Sequence, residues 1–577
     1  MIKLLRFLSP YKGRVRIMLV LMFLQMLGTL YVPTLTADIV NKGIINGNLK
    51  LVWGIGGFML LIAVLIAGVS ILQTYLSTSV FTGMGRDIRS ALFKKSQSLT
   101  INEFNRFGPD SMITRCTNDI TQIQQGYMAA IEMLLPAPIM AVAGLLLAFS
   151  KSPALALLIA AAMVVICILT VWIGSKAMKL FAGLQVMLDR INRVLRENLA
   201  GIRVIRAFNR SEFEQKRTDK TYEEYAFTAI RVNKIFAVLL PVIMVIMNVC
   251  TILIIALGGQ NVANGQMEIG DIMALIEYAF LILMYLVMGI MVIMIFPRAQ
   301  TCAGRVNEVL DLCSDRSGAD TPDDCRAVVK APKLEFCNVT FQYQGAEEPV
   351  LNNLSFTADI GKTTAIIGGT GSGKSTIASL IPRFYDIQSG EIRIDGENIA
   401  SMSEENLRER IGFVPQKSFL FSGTILDNFR HGKKDVTLTE IRHAADIAQI
   451  SDFIDSLDEG YETRVSQGGG NFSGGQKQRL SIARALVRKP EIYVFDDSFS
   501  ALDFKTDAKL RMALKGEVKD AVAILVAQRI STIMDAEQII VLDEGRVDGT
   551  GTHKELLANC AVYQQIAKSQ LSEEELS

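Results

Sequence analysis

Six stretches of roughly 20 residues, at 17–35, 51–72, 128–149, 154–173, 235–257 and 272–296, are almost wholly apolar. A hydrocarbon core of ~30 Å is crossed by about 20 apolar residues in a helix, so each stretch predicts one membrane span. Polar groups inside them are few. Glu277 and Asn248 stand out as candidate substrate-cavity residues, because such a group at membrane depth is costly unless it faces a cavity or a partner. Glu132 reads as lying near the inner interface. Pro33, Pro136, Pro138 and Pro241 lie in or beside spans and predict kinks. After residue 296 the pattern changes. Residues 315–332 are rich in Asp, Ser, Gly and Pro and read as a linker, after which short β-rich runs alternate with helical segments. That alternation marks an α/β domain. The expected organisation is an α-helical membrane domain over 1–312, a linker over 313–332 and an α/β domain over 333–577.

The loop charges orient the spans, since Lys and Arg collect on the cytoplasmic side. Lys3, Arg6, Lys12, Arg14 and Arg16 precede the first span; Arg86, Arg89, Lys94, Lys95, Arg106 and Arg115 lie between the second and third; residues 190–234 are again basic. Residues 258–271 carry no Lys or Arg and are expected outside. Both termini and the α/β domain are therefore expected in the cytoplasm, with the six spans in the inner or plasma membrane. The amphipathic patterns at 86–99 and 184–208 predict that helices continue well past the bilayer. At the N-terminus the absence of a small-residue cleavage pattern predicts no removable signal peptide.

Composition supports the membrane reading: of 577 residues 50% are hydrophobic, and the mean hydropathy is +0.31. A net charge of +1 offers no basic field for a nucleic-acid partner, and the positive-inside pattern accounts for the local basic clusters. Eight scattered cysteines without a CxxC pair argue against a zinc site or a disulfide framework.

Gly368-Gly369-Thr370-Gly371-Ser372-Gly373-Lys374-Ser375 is a complete GxxxxGK[ST] phosphate loop, followed by Thr376, between a predicted strand and a predicted helix. Its glycines let backbone N–H groups turn around phosphate oxygens, and the helix adds its positive end. Lys374 is expected to reach the β- and γ-phosphates of ATP and Ser375 to ligate Mg²⁺. A second apolar strand ends in Asp496, the placement of a carboxylate that orients the Mg²⁺ shell.

Between these motifs, Ser473-Gly474-Gly475-Gln476, followed by Arg479-Leu480-Ser481-Ile482-Ala483-Arg484-Ala485, resembles the signature of ATP-binding cassette (ABC) proteins. The resemblance implies further roles. Tyr343 matches the aromatic that stacks on adenine, Gln416 the glutamine that contacts Mg²⁺, and Asp503 in Ser500-Ala501-Leu502-Asp503 the loop that communicates across a cassette dimer. Residues 111–119 and 196–208 resemble intracellular loops of ABC exporters.

Three positions depart from the family pattern. Asp497 stands where hydrolytic members place Glu, and its carboxylate is roughly 1.5 Å short where ~1 Å matters. Gln528 replaces the switch histidine, and the only histidines, His431, His443 and His553, lie elsewhere. Val465-Ser466-Gln467 replaces Val-Gly-Glu. The signature is near-consensus, with Phe472 for Leu. Because the family's cassettes pair with each ATP between one chain's phosphate loop and the other's signature, the resemblance implies the degenerate-site half of a heterodimeric bacterial multidrug exporter. It would carry small lipophilic or cationic substrates, with a partner supplying the Glu and His. A homodimeric lipid or peptide exporter and a nucleotide-gated, non-pumping regulator are the alternatives.

Overall fold

The computed structural model describes residues 1–312 and 334–571, apart from the side chains of residues 174, 176–182, 185, 236, 240, 291, 293 and 294. The chain divides into two compact units, Met1–Ser98 with Gly108–Leu312, and Leu99–Phe107 with Cys313–Ser577. The expected linker, 313–332, lies outside the described residues.

Among the described residues of the first unit six helices are long and apolar enough to cross a membrane: Ile2–Ile44, Leu49–Ser98, Pro109–Lys151, Pro153–Ile173, Ser211–Ala263 and Ile269–Leu310. Each contains one predicted stretch. The second runs unbroken for 50 residues, and the fourth lies in a helix that continues to Ala200. At ~1.5 Å per residue these helices outrun a ~30 Å hydrocarbon core by about 40 Å, which matches the expectation at 86–99 and 184–208. Small residues let the helices approach: a β-carbon at Gly144 would lie 2.7 Å from Ile282 Cγ1. Met22, Leu30, Met140, Ile159, Tyr278 and Ile282 form the buried centre. The third span loosens into a π-helical turn, Ala130–Leu134, just before Pro136, whose missing N–H cannot continue the α ladder.

The second unit carries two main sheets. Strands β1 (Leu334–Phe341), β2 (Leu351–Ala358), β4 (Ser389–Ile394) and β5 (Glu397–Asn398) form an antiparallel sheet in the order β2-β1-β4-β5. Strands β3 (Thr363–Gly368), β6 (Ile411–Val414), β9 (Ile492–Asp496), β10 (Val522–Val526), β11 (Gln538–Asp543) and β12 (Arg546–Gly551) form the other, in the order β12-β11-β3-β10-β9-β6. Gly423–Thr424 and Arg464–Val465 make a short separate pair, β7 and β8. From β11 to β6 the larger sheet is parallel. Its inner strands are buried along both faces, which is why β9 and β10 read as unbroken apolar runs. Parallel pairing brings the carboxyl ends of β3, β10, β9 and β6 to one edge of the sheet, with Val526 opposite Asp496 and Val414 opposite Phe495. Ligands of open α/β sheets bind outside that edge.

Candidate active site and family assignment

The phosphate loop leaves β3 at Gly368 and enters the helix Lys374–Leu380. Gly371 and Gly373 take φ of 86° and 96°, and a β-carbon at Gly373 would meet Leu351 Cδ2 at 2.6 Å. Only glycine satisfies both constraints. Lys374 Nζ donates to the carbonyls of Gly368 (2.9 Å) and Gly369 (2.6 Å), which holds the side chain along the loop. Burial pushes its pKa down, while Asp497 and Asp496 oppose the shift. Tyr343 packs edge-on against Phe341 and Tyr385, and its hydroxyl shares a 3.1 Å hydrogen bond with Thr376 Oγ1.

The neighbouring strands deliver the other predicted residues. Asp496, at the end of β9, accepts a 2.8 Å hydrogen bond from Ser375 Oγ. Burial raises the pKa of Asp496, against the pull of Ser375 and Lys374. A hydroxyl and a carboxylate converging beside a phosphate loop form a hard-oxygen pair that fits Mg²⁺, which habitually completes its shell with waters and substrate phosphates. Asp497 follows in a left-handed conformation, φ 45°, and is 8% exposed. Its Oδ2 accepts from Gln416 Nε2 at 3.1 Å and from Gln528 Nε2 at 3.0 Å. Gln416 follows β6 and Gln528 follows β10, so the four adjacent strand ends assemble the phosphate loop with Asp496, Asp497, Gln416 and Gln528.

The signature lies apart from this cluster in sequence and begins the helix Gly474–Leu486. Ser473 caps it, accepting from Gln476 N at 3.3 Å while Gln476 Oε1 accepts from Ser473 N at 2.8 Å. Gln478 Oε1 on the same helix accepts from Ala501 N at 3.3 Å, which ties the signature helix to the loop after Asp497. Asp503 caps the helix Phe504–Glu517 through Thr506 N at 3.0 Å, and those bonds hold its pKa below the usual range.

Family models agree with this geometry. Residues 15–287 match the ABC transporter transmembrane region and residues 351–500 the ABC transporter domain. An uncharacterised ABC transporter ATP-binding protein of Mycobacterium tuberculosis is 40% identical over 98% of this chain and 97% of its own length. The chain belongs to the ABC transporter family. A fatty acid ABC transporter ATP-binding/permease protein of Mycobacterium bovis is 31% identical over 84% of this chain and 76% of its own. Among solved structures, a bacterial Atm1-family ABC exporter with ATP bound superposes with a TM-score of 0.80 at 27% identity, covering 97% of this chain and 99% of that one.

This ABC exporter therefore joins six membrane helices to an ATP-binding cassette in one chain, and its ATPase activity is coupled to transport. In the membrane unit Glu277 is half-buried next to Tyr278, whose hydroxyl bonds Thr34 at 2.6 Å, and Asn248 is exposed. No hydrogen bond joins Glu277 and Asn248 among the described residues. Other polar contacts were not foreseen from sequence. Ser77, fully buried, donates to Glu132 Oε1 at 2.7 Å. In the same unit an open apolar cavity of about 400 Å³ is lined by Ala130, Leu134, Pro138, Leu286 and Gly289 among others. Near the end of the last helix, Arg305 pairs with the wholly buried Asp119, while Arg115 bonds both Glu308 (3.0 Å) and the Arg305 carbonyl. These pairs span about 190 positions, and no spacing in the sequence announces them.

Proposed function

We propose that this chain is the slow-site subunit of a heterodimeric exporter in the plasma membrane, with its cassette and termini in the cytoplasm. Its phosphate loop and Asp496 hold ATP with Mg²⁺ on Ser375 and Asp496, Tyr343 supports the adenine, and Ser473 to Gln476 complete a hydrolytic site on the partner. The observation that carries the reading is the Asp497 and Gln528 pair in a chain whose signature helix is intact. A positioned base is worth roughly 10²- to 10⁴-fold in rate, and Asp497 is both short and occupied by two amides. ATP binding supplies the closure that opens the membrane half outward, and hydrolysis on the partner's nucleotide resets it.

The cargo is a small lipophilic or cationic compound, consistent with the apolar cavity lined by Leu134 and Leu286 and with a relative named for fatty acids. Native mass spectrometry of the complex purified from its own host tests the assembly. The expected result is two different half-transporters in equal amounts, the second with Glu and His at the positions of Asp497 and Gln528. A single kind of subunit contradicts it.

A further inference from the structure

We propose that Gln528 is a positioning residue that acts on Asp497 and not on the nucleotide: with Gln416 it ties up one oxygen, Oδ2, of the carboxylate that would otherwise activate water, and fixes where the other points. This rests on the slow-site reading and gives it a physical cause beyond the missing methylene.

Both amides converge on one oxygen. Asp497 Oδ2 receives Gln416 Nε2 and Gln528 Nε2 at 3.1 and 3.0 Å, and a carboxylate oxygen has about two lone-pair sites. A general base needs a lone pair within hydrogen-bond reach of the water proton; at Oδ2 both are taken, which leaves Oδ1, whose direction the two amides fix. The backbone prevents an easy swing away. Asp497 N donates to Val526 O at 2.9 Å, Ser500 Oγ donates to Asp497 O at 2.9 Å, and φ of 45° sets the direction in which the side chain leaves the chain. Gln528 is anchored as well. Its carbonyl accepts from Gln570 Nε2 at 2.9 Å, and Gln570 Oε1 accepts from Ile530 N at 2.9 Å, so the helix Ala561–Gln570 pins the turn after β10. With one N–H of Nε2 on Asp497, only the second N–H of that amide is left to donate, since Oε1 is an acceptor and cannot bond a phosphate oxygen.

The test uses the full-length chain in lipid nanodiscs, with Q528M, which keeps the size of the side chain but removes its donors, and Q528A as a second variant. Each is made alone and with Asp497→Asn. Steady-state ATP turnover gives kcat and KM, and equilibrium binding of ATP and ADP in EDTA gives their affinity ratio without catalysis. Freeing Asp497 of one donor to a charged group is expected to raise kcat roughly tenfold, to leave KM and the ATP-to-ADP ratio within about twofold, and to lose the gain when Asp497→Asn is added. A fall in kcat, a several-fold loss of preference for ATP over ADP, or a gain that survives Asp497→Asn overturns the proposal while leaving the slow-site reading intact. An unmodified chain that already turns over as fast as the Asp497→Glu, Gln528→His variant overturns both.

Discussion

A β-carbon at Gly373 would sit 2.6 Å from Leu351 Cδ2 at a φ that L-residues avoid, so Gly373→Ala should lower stability by about 1–3 kcal/mol. It should also weaken ATP binding at least tenfold, which thermal unfolding and nucleotide titration of the full chain would show; an unchanged melting midpoint would contradict it. In the membrane unit, Arg305→Met leaves Asp119 buried without its cation. Breaking a fully buried pair costs about 3–5 kcal/mol, and because the Arg305 side chain is 44% exposed we expect about 1–3 kcal/mol, read from the same unfolding curves. Gly373 was legible in the sequence because its motif is contiguous. The pairs around Asp119, and the two amides on Asp497 from 81 and 31 positions away, were not, since nothing local specifies which distant residue fills a lone pair.

Whole elements were read more faithfully than contacts. Apolar runs marked the spans because lipid and the buried inner strands both demand continuous hydrophobicity, and amphipathic patterns at 86–99 correctly extended the second helix to Ser98. What periodicity could not show was the π-helical turn at Ala130–Leu134, which carries Glu132 against Ser77. Helix ends in the cassette follow capping chemistry. The helix Leu438–Ile447 starts with Thr437 and Glu440 bonded reciprocally, and Lys433 with those Thr437 bonds lowers the Glu440 pKa to about 2. A carboxylate depressed on folding contributes stability that is complete above its unfolded value of about 4.3 and lost as pH falls through about 2. Protection of the amides at the start of this helix, relative to their unfolded exchange rates at the same pH, should therefore fall between about pH 4 and pH 2. Glu440→Gln should flatten that dependence, and an equally steep profile in the variant would refute the assignment.

On the scale of the molecule, two family domains in one chain and six membrane helices identify an ABC exporter, and the strand order β3-β10-β9-β6 explains why residues 368, 528, 496 and 416 share one edge. The asymmetry we propose resides in that edge, where a complete phosphate loop adjoins a shortened and clamped carboxylate, in a chain whose signature is intact. The most direct test is the steady-state ATPase rate of the purified chain in nanodiscs, compared with its Asp497→Glu, Gln528→His double variant. Slow turnover by the chain alone is expected, with a gain of about 10²-fold or more in the double variant and ATP affinity unchanged within a few-fold. A chain that alone turns over as fast as the double variant would contradict it.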